Sequence, residues 1–153
     1  RLNGGSTLLY YTGITRLAKS ILQQIVGGTF NRDRHIMATL AEEHRVAHEI
    51  ADALSHKDAA RFGHFVNVAW GLQKRLCGDV TNESIETLLA RIGPHIHGAR
   101  ILGAGSGGFM MMICKSPADA AAIRRSLLEK PLNERARFFD FGINPVGLEI
   151  ATC

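Results

Sequence analysis

Apolar residues follow two rhythms along this chain, and the change from one to the other divides it. An opening segment, Ser6 to Thr12, carries Leu8, Leu9, Tyr10 and Tyr11 in succession, bulky residues suited to a strand. After it the apolar positions recur every third or fourth residue, the spacing that lines one face of a helix. Ile14, Leu17, Ala18, Ile21, Leu22 and Ile25 predict a first helix that stops at Gly27-Gly28. Ile36, Met37, Leu40, Ala47, Ile50 and Leu54 predict a second from Asp33 to Leu54. Phe62, Phe65, Val66, Ala69, Leu72 and Leu76 predict a third from Asp58 to Leu76. Asn82 then precedes a shorter helix, with Glu83 and Glu86 in a first turn that favours negative charge. Its core side is Ile85, Leu88, Leu89 and Ile92, and Gly93-Pro94 ends it.

In the last third the rhythm shortens. Ala99 to Leu102 reads as a short strand, and Phe109 to Cys114 as a buried one, too short for a helix. Ser116-Pro117-Ala118-Asp119 is a helix start, with a cap, a first-turn proline and an acid at the third helical position. That helix buries Ala120, Ile123 and Leu127, and Pro131 lies beyond it. Arg137 to Ile143 and Leu148 to Thr152 predict two strands joined by Asn144-Pro145-Val146-Gly147, a hairpin signal. A few strands with segregated helices make the class α+β, as a single domain over residues 1–153.

Composition narrows the function classes. At 153 residues, 46% apolar and 21% charged, the chain has the balance of an ordinary soluble domain. No run approaches a membrane span and no signal-peptide layout appears, so no membrane partner is expected. A net charge of +4 suits anionic small molecules. Its basic residues are scattered without interleaved aromatics, so no nucleic-acid partner is expected either. Cys77, Cys114 and Cys153 are odd in number and far apart, which favours a reducing, cytoplasmic setting. Cys114, inside an apolar strand, reads as a small core residue. The chain opens at Arg1 and meets a strand almost at once, so a longer parent polypeptide is expected.

The candidate chemistry lies in Gly103-Ala104-Gly105-Ser106-Gly107-Gly108, between the two apolar runs. Glycine admits positive φ and close approach, so successive N–H groups can turn toward an anion such as phosphate. The string satisfies G-x-G-x-x-G, but a dinucleotide loop must open a helix, and Phe109 begins a strand. Phe109 also stands where a P-loop needs lysine. A nucleophile elbow fails because no helix follows Ser106. What remains is a glycine loop between strands that closes over phosphates held elsewhere, or a turn that serves only close packing.

A second candidate is Thr12-Gly13 with Arg16, where a strand gives way to a helix. Thr12 can cap free N–H groups and Gly13 keeps the approach open. Arg16 opposes the helix dipole there, so it either meets an anion or is simply solvated. His44 and His48 are one turn apart, and His95 and His97 form another pair, yet neither has a third ligand at metal spacing. No metal site is expected. Met110 to Met112 alternate faces of a strand and read as core, and Arg124-Arg125 as a solvated face.

Arg100-x-x-Gly103-Ala-Gly-Ser-Gly-Gly108, followed by a hydrophobic strand, resembles the third motif of the GHMP small-molecule kinases (galacto-, homoserine, mevalonate and phosphomevalonate kinases). The segment from Leu8 to Lys19, Asn133-Glu-Arg-Ala-Arg137 and the stretch from Gly142 to Ile150 are similar to its sugar-kinase branch, the bacterial L-fucokinases above all. That set includes the kinase half of bifunctional fucokinase/L-fucose-1-phosphate guanylyltransferases. The resemblance covers nearly the whole chain, as the family's C-terminal half.

It implies a ferredoxin-like sheet with added helices, and ATP- and Mg²⁺-dependent phosphorylation of a sugar, at the anomeric position of L-fucose. A heptose phosphate kinase of the same family, and a non-catalytic anion-binding α+β module, are the alternatives. By position, Gly103, Ala104, Gly105, Ser106, Gly107 and Gly108 would pack beside the phosphate-binding loop of the family's first motif and shape the nucleotide cleft, and Thr12, Gly13 and Arg16 would face its sugar side. Arg100 stands where the family often has Lys, and Ser106 replaces a common glycine. The family's phosphate loop and catalytic Asp are missing from these residues, so no catalytic residue is expected in this chain and the isolated chain is expected to be inactive. Its partners would be nucleotide, sugar and its own N-terminal domain.

Overall fold

In the computed structural model, residues 5–15, 19–144 and 146–147 are described. Strand β1, Thr7–Tyr11, lies inside a four-stranded sheet whose other strands come from the last third of the chain: β2 (Ile96–Ile101), β3 (Phe109–Cys114) and β4 (Arg137–Phe139). Their spatial order is β2-β3-β1-β4, and every neighbouring pair is antiparallel. Four helices separate β1 from β2: α1 (Lys19–Phe30), α2 (Arg34–Ser55), α3 (Ala59–Leu76) and α4 (Glu83–Ile92), while α5 (Pro117–Glu129) joins β3 to β4. This is the ferredoxin-like plan with helices added to its first crossover, and the expected α+β class.

Helix starts obey local chemistry. Asp33, Asp58, Asn82 and Ser116 each turn a side-chain oxygen onto the N–H of the third residue beyond, at Ile36, Arg61, Ile85 and Asp119. The end of α1 differs from expectation: it runs through Gly27-Gly28 to Phe30. A Cβ on Gly28 would meet the tip of the Ile36 side chain, so Gly28 lies where α1 touches the start of α2, whereas a Cβ on Gly27 would meet nothing.

Alternation along the strands sets two faces. Leu8, Tyr10, Ala99, Ile101, Met110 and Met112 point to one side and pack on Ile85, Leu88 and Ile92 of α4 and Ile123 and Leu127 of α5. On the other side Met111 and Ile113 meet Ile50, Ala53, Phe62 and Val66 of α2 and α3. The methionine run is core on both faces, as predicted.

Strand β2 begins three residues earlier than its apolar content suggested, because α3 runs along its free edge. Asn67 accepts from the Ala99 N–H at 3.0 Å and donates to the His97 carbonyl at 3.1 Å. Strand β4 is shorter than predicted, pairing with β1 only over Arg137–Phe139. The predicted strand from Leu148 to Thr152, and with it the hairpin, lies outside the described residues. No helix among the described residues is long and apolar enough to cross a membrane.

Candidate functional site

The glycine loop spans residues 103–108 and joins β2 directly to β3, so no helix opens at its end. Its backbone needs the residues it has. Gly103, Gly105, Gly107 and Gly108 all have positive φ, and Ser106 adopts φ 65. Not every glycine serves the same purpose. A Cβ on Gly105 would lie 2.7 Å from the Val80 Cβ, and one on Gly107 would overlap the Ile14 carbonyl, so these two serve close packing. Around Gly103 and Gly108 a Cβ would meet nothing within 4 Å, so the loop there borders open space.

Part of the loop's polar backbone is committed to the fold. Ser106 donates its N–H to the Val80 carbonyl, and Gly108 donates to the Ile14 carbonyl at 2.9 Å. Two carboxamides hold loop carbonyls: Gln73 Nε2 donates to Gly103 at 2.9 Å, and Asn82 Nδ2 reaches the Ser106 carbonyl at 3.4 Å. Ser106 is 1% exposed, so its hydroxyl is enclosed by the fold. Among the described residues, no hydrogen-bond partner takes the N–H of Ala104 or Gly107.

Thr12 binds the second candidate segment to the loop. It is fully buried; its N–H and its hydroxyl both donate to the Gly108 carbonyl, at 2.8 and 2.9 Å. Its oxygen also accepts from the Ile14 N–H at 3.3 Å. Because Gly13, Ile14 and Thr15 are not helical, Thr12 is a loop clasp and does not cap a helix directly after it, a correction to the sequence expectation. Gly13 has φ 72 and is filled on its Cβ side by the Asn133 carboxamide, whose Nδ2 donates to the Thr12 carbonyl at 2.7 Å. Gly13, Asn133, Glu134 and Arg135 line an open depression next to this junction. Arg16 lies outside the described residues.

Arg100 does not turn toward the loop's open side. Its guanidinium is half-buried against α3, donates to Gln73 Oε1 at 2.6 Å, and shares a hollow between α2 and α3 with Glu43 and His44. Burial pushes the Arg100 pKa down while Glu43 opposes that, and burial pushes the Glu43 carboxyl up while Arg100 opposes that. Beside the loop, the rings of Tyr11, Phe109 and Phe139 form a triangle with centroids 5.2–6.4 Å apart, and the Arg137 guanidinium lies over Phe139.

The histidine pairs have other occupations. His44 and His48 meet edge to face on an exposed side of α2. His95 Nδ1 donates to Asp119 at 2.8 Å, in the cap of α5. Among the described residues, no three His, Cys, Asp or Glu side chains are placed to hold a metal. Sequence reasoning passed over Gln73 and met Asn133 only as the first residue of a segment of family resemblance, with no role assigned. Each matters because the fold brings it to a distant carbonyl.

Comparison with known proteins agrees with this architecture. Residues 50–133 match the family described as GHMP kinases C terminal. The chain is 33% identical over 144 residues to the L-fucokinase/L-fucose-1-P guanylyltransferase of Bacteroides fragilis, covering 94% of this chain and 15% of that protein. It is 28% identical over 122 residues to the bifunctional fucokinase/GDP-fucose pyrophosphorylase of Arabidopsis thaliana, covering 80% of this chain and 12% of that one. The chain thus spans only a small part of the length of either relative. Mevalonate kinase from L. major, solved with R-mevalonate, shares the fold with a TM-score of 0.74 at 19% identity, over 86% of this chain and 41% of that one. With over half its length matched and the ferredoxin-like sheet in place, this chain belongs to the GHMP kinase family, as a C-terminal domain.

Proposed function

We propose that this chain is the C-terminal part of an ATP-dependent sugar kinase that phosphorylates L-fucose at its anomeric hydroxyl. The observation that carries the reading is the likeness to two fucokinases across most of the chain. The loop geometry supports it: Gly103 and Gly108 border open space, and among the described residues nothing takes the Ala104 N–H. Bare backbone donors at a glycine turn suit phosphate oxygens.

Phosphoryl transfer is mainly positioning and electrostatics, and ATP with Mg²⁺ supplies the group transferred. This chain's own part is one wall of the cleft. Its amide at Ala104 would face the nucleotide phosphates. The Thr12–Gly13 segment, clasped to the loop through Gly108, would border the sugar side. The phosphate loop and the catalytic base would come from an N-terminal domain of the same polypeptide, in the cytoplasm, so the isolated chain should not turn over.

The test is a panel of sugars, including L-fucose and heptose phosphates, with the full-length protein, ATP and Mg²⁺. The phosphorylated carbon is read by ³¹P NMR. L-fucose converted to its anomeric phosphate is the expected result. Preference for a heptose phosphate would move the substrate assignment, and no turnover of any sugar would favour a non-catalytic anion-binding module. Sustained sugar-dependent ADP release by the isolated chain would overturn the one-wall reading.

A further inference from the structure

Gln73 lies in the last turn of α3, 8% exposed, with both ends of its carboxamide engaged. Oε1 accepts from the Arg100 guanidinium at 2.6 Å, and Nε2 donates to the Gly103 carbonyl at 2.9 Å. A carboxamide alone could present either atom to either side. Its two partners remove that choice: a guanidinium has donors and no acceptor, so Oε1 must face it, and the Gly103 carbonyl only accepts, so the amino end must face the loop. Arg100 is itself kept in place by its half-buried setting in the hollow it shares with Glu43.

The consequence reaches the loop through the planarity of the peptide unit. In a trans peptide, the carbonyl of one residue and the N–H of the next point in opposite directions. With the Gly103 carbonyl drawn toward α3, the Ala104 N–H is aimed away from α3. No group among the described residues takes it. Packing does not set this plane, because Gly103 has φ 76 and open space on its Cβ side. Asn82 acts alike at the other end of the loop, through the Ser106 carbonyl and hence the Gly107 N–H.

We propose that Gln73, held in one orientation by Arg100, is a positioning residue that aims the Ala104 N–H at a phosphate oxygen of the bound nucleotide. This rests on the kinase reading above and specifies how the loop wall is held. Neither side chain touches nucleotide; each acts through the Gly103–Ala104 peptide. Losing Gln73 therefore weakens nucleotide binding selectively and leaves the sugar side alone.

The experiment compares Gln73→Glu, Arg100→Met and Arg100→Lys in the full-length protein. Gln73→Glu keeps an acceptor for Arg100 and loses the donor to Gly103, whereas Arg100→Met removes the donor that anchors Oε1 and lets the carboxamide drift from the loop. Arg100→Lys restores a donor-only partner. For the first two, KM for ATP rises about tenfold, the worth of one charge-assisted hydrogen bond, while KM for the sugar changes less than about twofold. Arg100→Lys stays close to wild type. An unchanged KM for ATP in Gln73→Glu, or equal rises in both KM values, overturns the proposal. Amide hydrogen exchange at Ser106 and Gly108, which the fold protects, gives a readout free of turnover. If wild type phosphorylates no sugar, the kinase reading fails alone. Faster exchange in Gln73→Glu and Arg100→Met, restored in Arg100→Lys, then still supports the positioning role, and unchanged exchange overturns it.

Discussion

Gly98 of β2 lies so close to Gly63 of α3 that a methyl group on Gly98 would overlap the Gly63 carbonyl oxygen. Backbone meets backbone here, and neither side has a flexible atom that could give way. Gly98→Ala should therefore destabilise the chain by about 3 kcal/mol, at the top of the range for overpacked sites. Gly71 lies on the same helix with nothing near its Cβ position, so Gly71→Ala should stabilise by about 0.5–1 kcal/mol. Urea denaturation of the two variants checks the contrast, and equal effects would contradict the close approach.

That approach places Asn67 over the sheet edge, where it satisfies one N–H and one carbonyl of β2. Asn67→Leu removes both bonds from a partly exposed edge. The expected loss is about 1–2 kcal/mol, with faster amide exchange at Ala99 than at the paired strand β3.

Within the glycine loop, alanine at two positions should behave differently. Gly103→Ala meets open space and bears only the cost of positive φ, about 1–2 kcal/mol. Gly107→Ala adds a clash with the Ile14 carbonyl and should cost clearly more, while releasing the Thr12–Gly108 clasp. Thermal melts order the two variants, and a Gly107→Ala protein as stable as Gly103→Ala would refute the packing role.

Acid should weaken the start of α5. Asp119 accepts from the Ser116 hydroxyl at 2.6 Å and from His95, and these bonds hold its carboxyl below the ordinary 3.8. A group whose folded pKa is depressed stabilises the fold above its unfolded value and loses that contribution as pH falls through the folded one. The Tm difference between wild type and Asp119→Asn should therefore be full above pH 3.8 and shrink below it. A difference that persists unchanged at still lower pH would rule the linkage out.

Burial pushes the Cys114 thiol up to about 11, with the nearby Asp119 carboxylate adding to the effect. At mildly alkaline pH its thiolate fraction falls about a hundredfold below that of an ordinary cysteine. Mass spectrometry after brief iodoacetamide treatment should show the Cys114 peptide unmodified in native protein and alkylated in urea.

Much of this domain was readable from its residues in order. Asp33, Asp58, Asn82 and Ser116 announce helix starts because a cap is satisfied within three residues. The glycine loop was recognisable as a strand-to-strand turn because Phe109 to Cys114 is too short and too apolar to open a helix. Gly27-Gly28 misled for the converse reason: Gly28 answers to Ile36 of the next helix, a contact no local pattern records.

The amino-acid order alone determined where the four capped helices begin, which faces are apolar, and that the loop glycines can take positive φ; these depend on interactions a few residues long. Tertiary structure decided what the loop is attached to. Gln73, Thr12 and the Val80–Asn82 connection reach its backbone from three separate segments. Only the folded sheet, with α3 along its edge, brings those segments together, because a hydrogen bond between distant residues exists only once packing has fixed both ends.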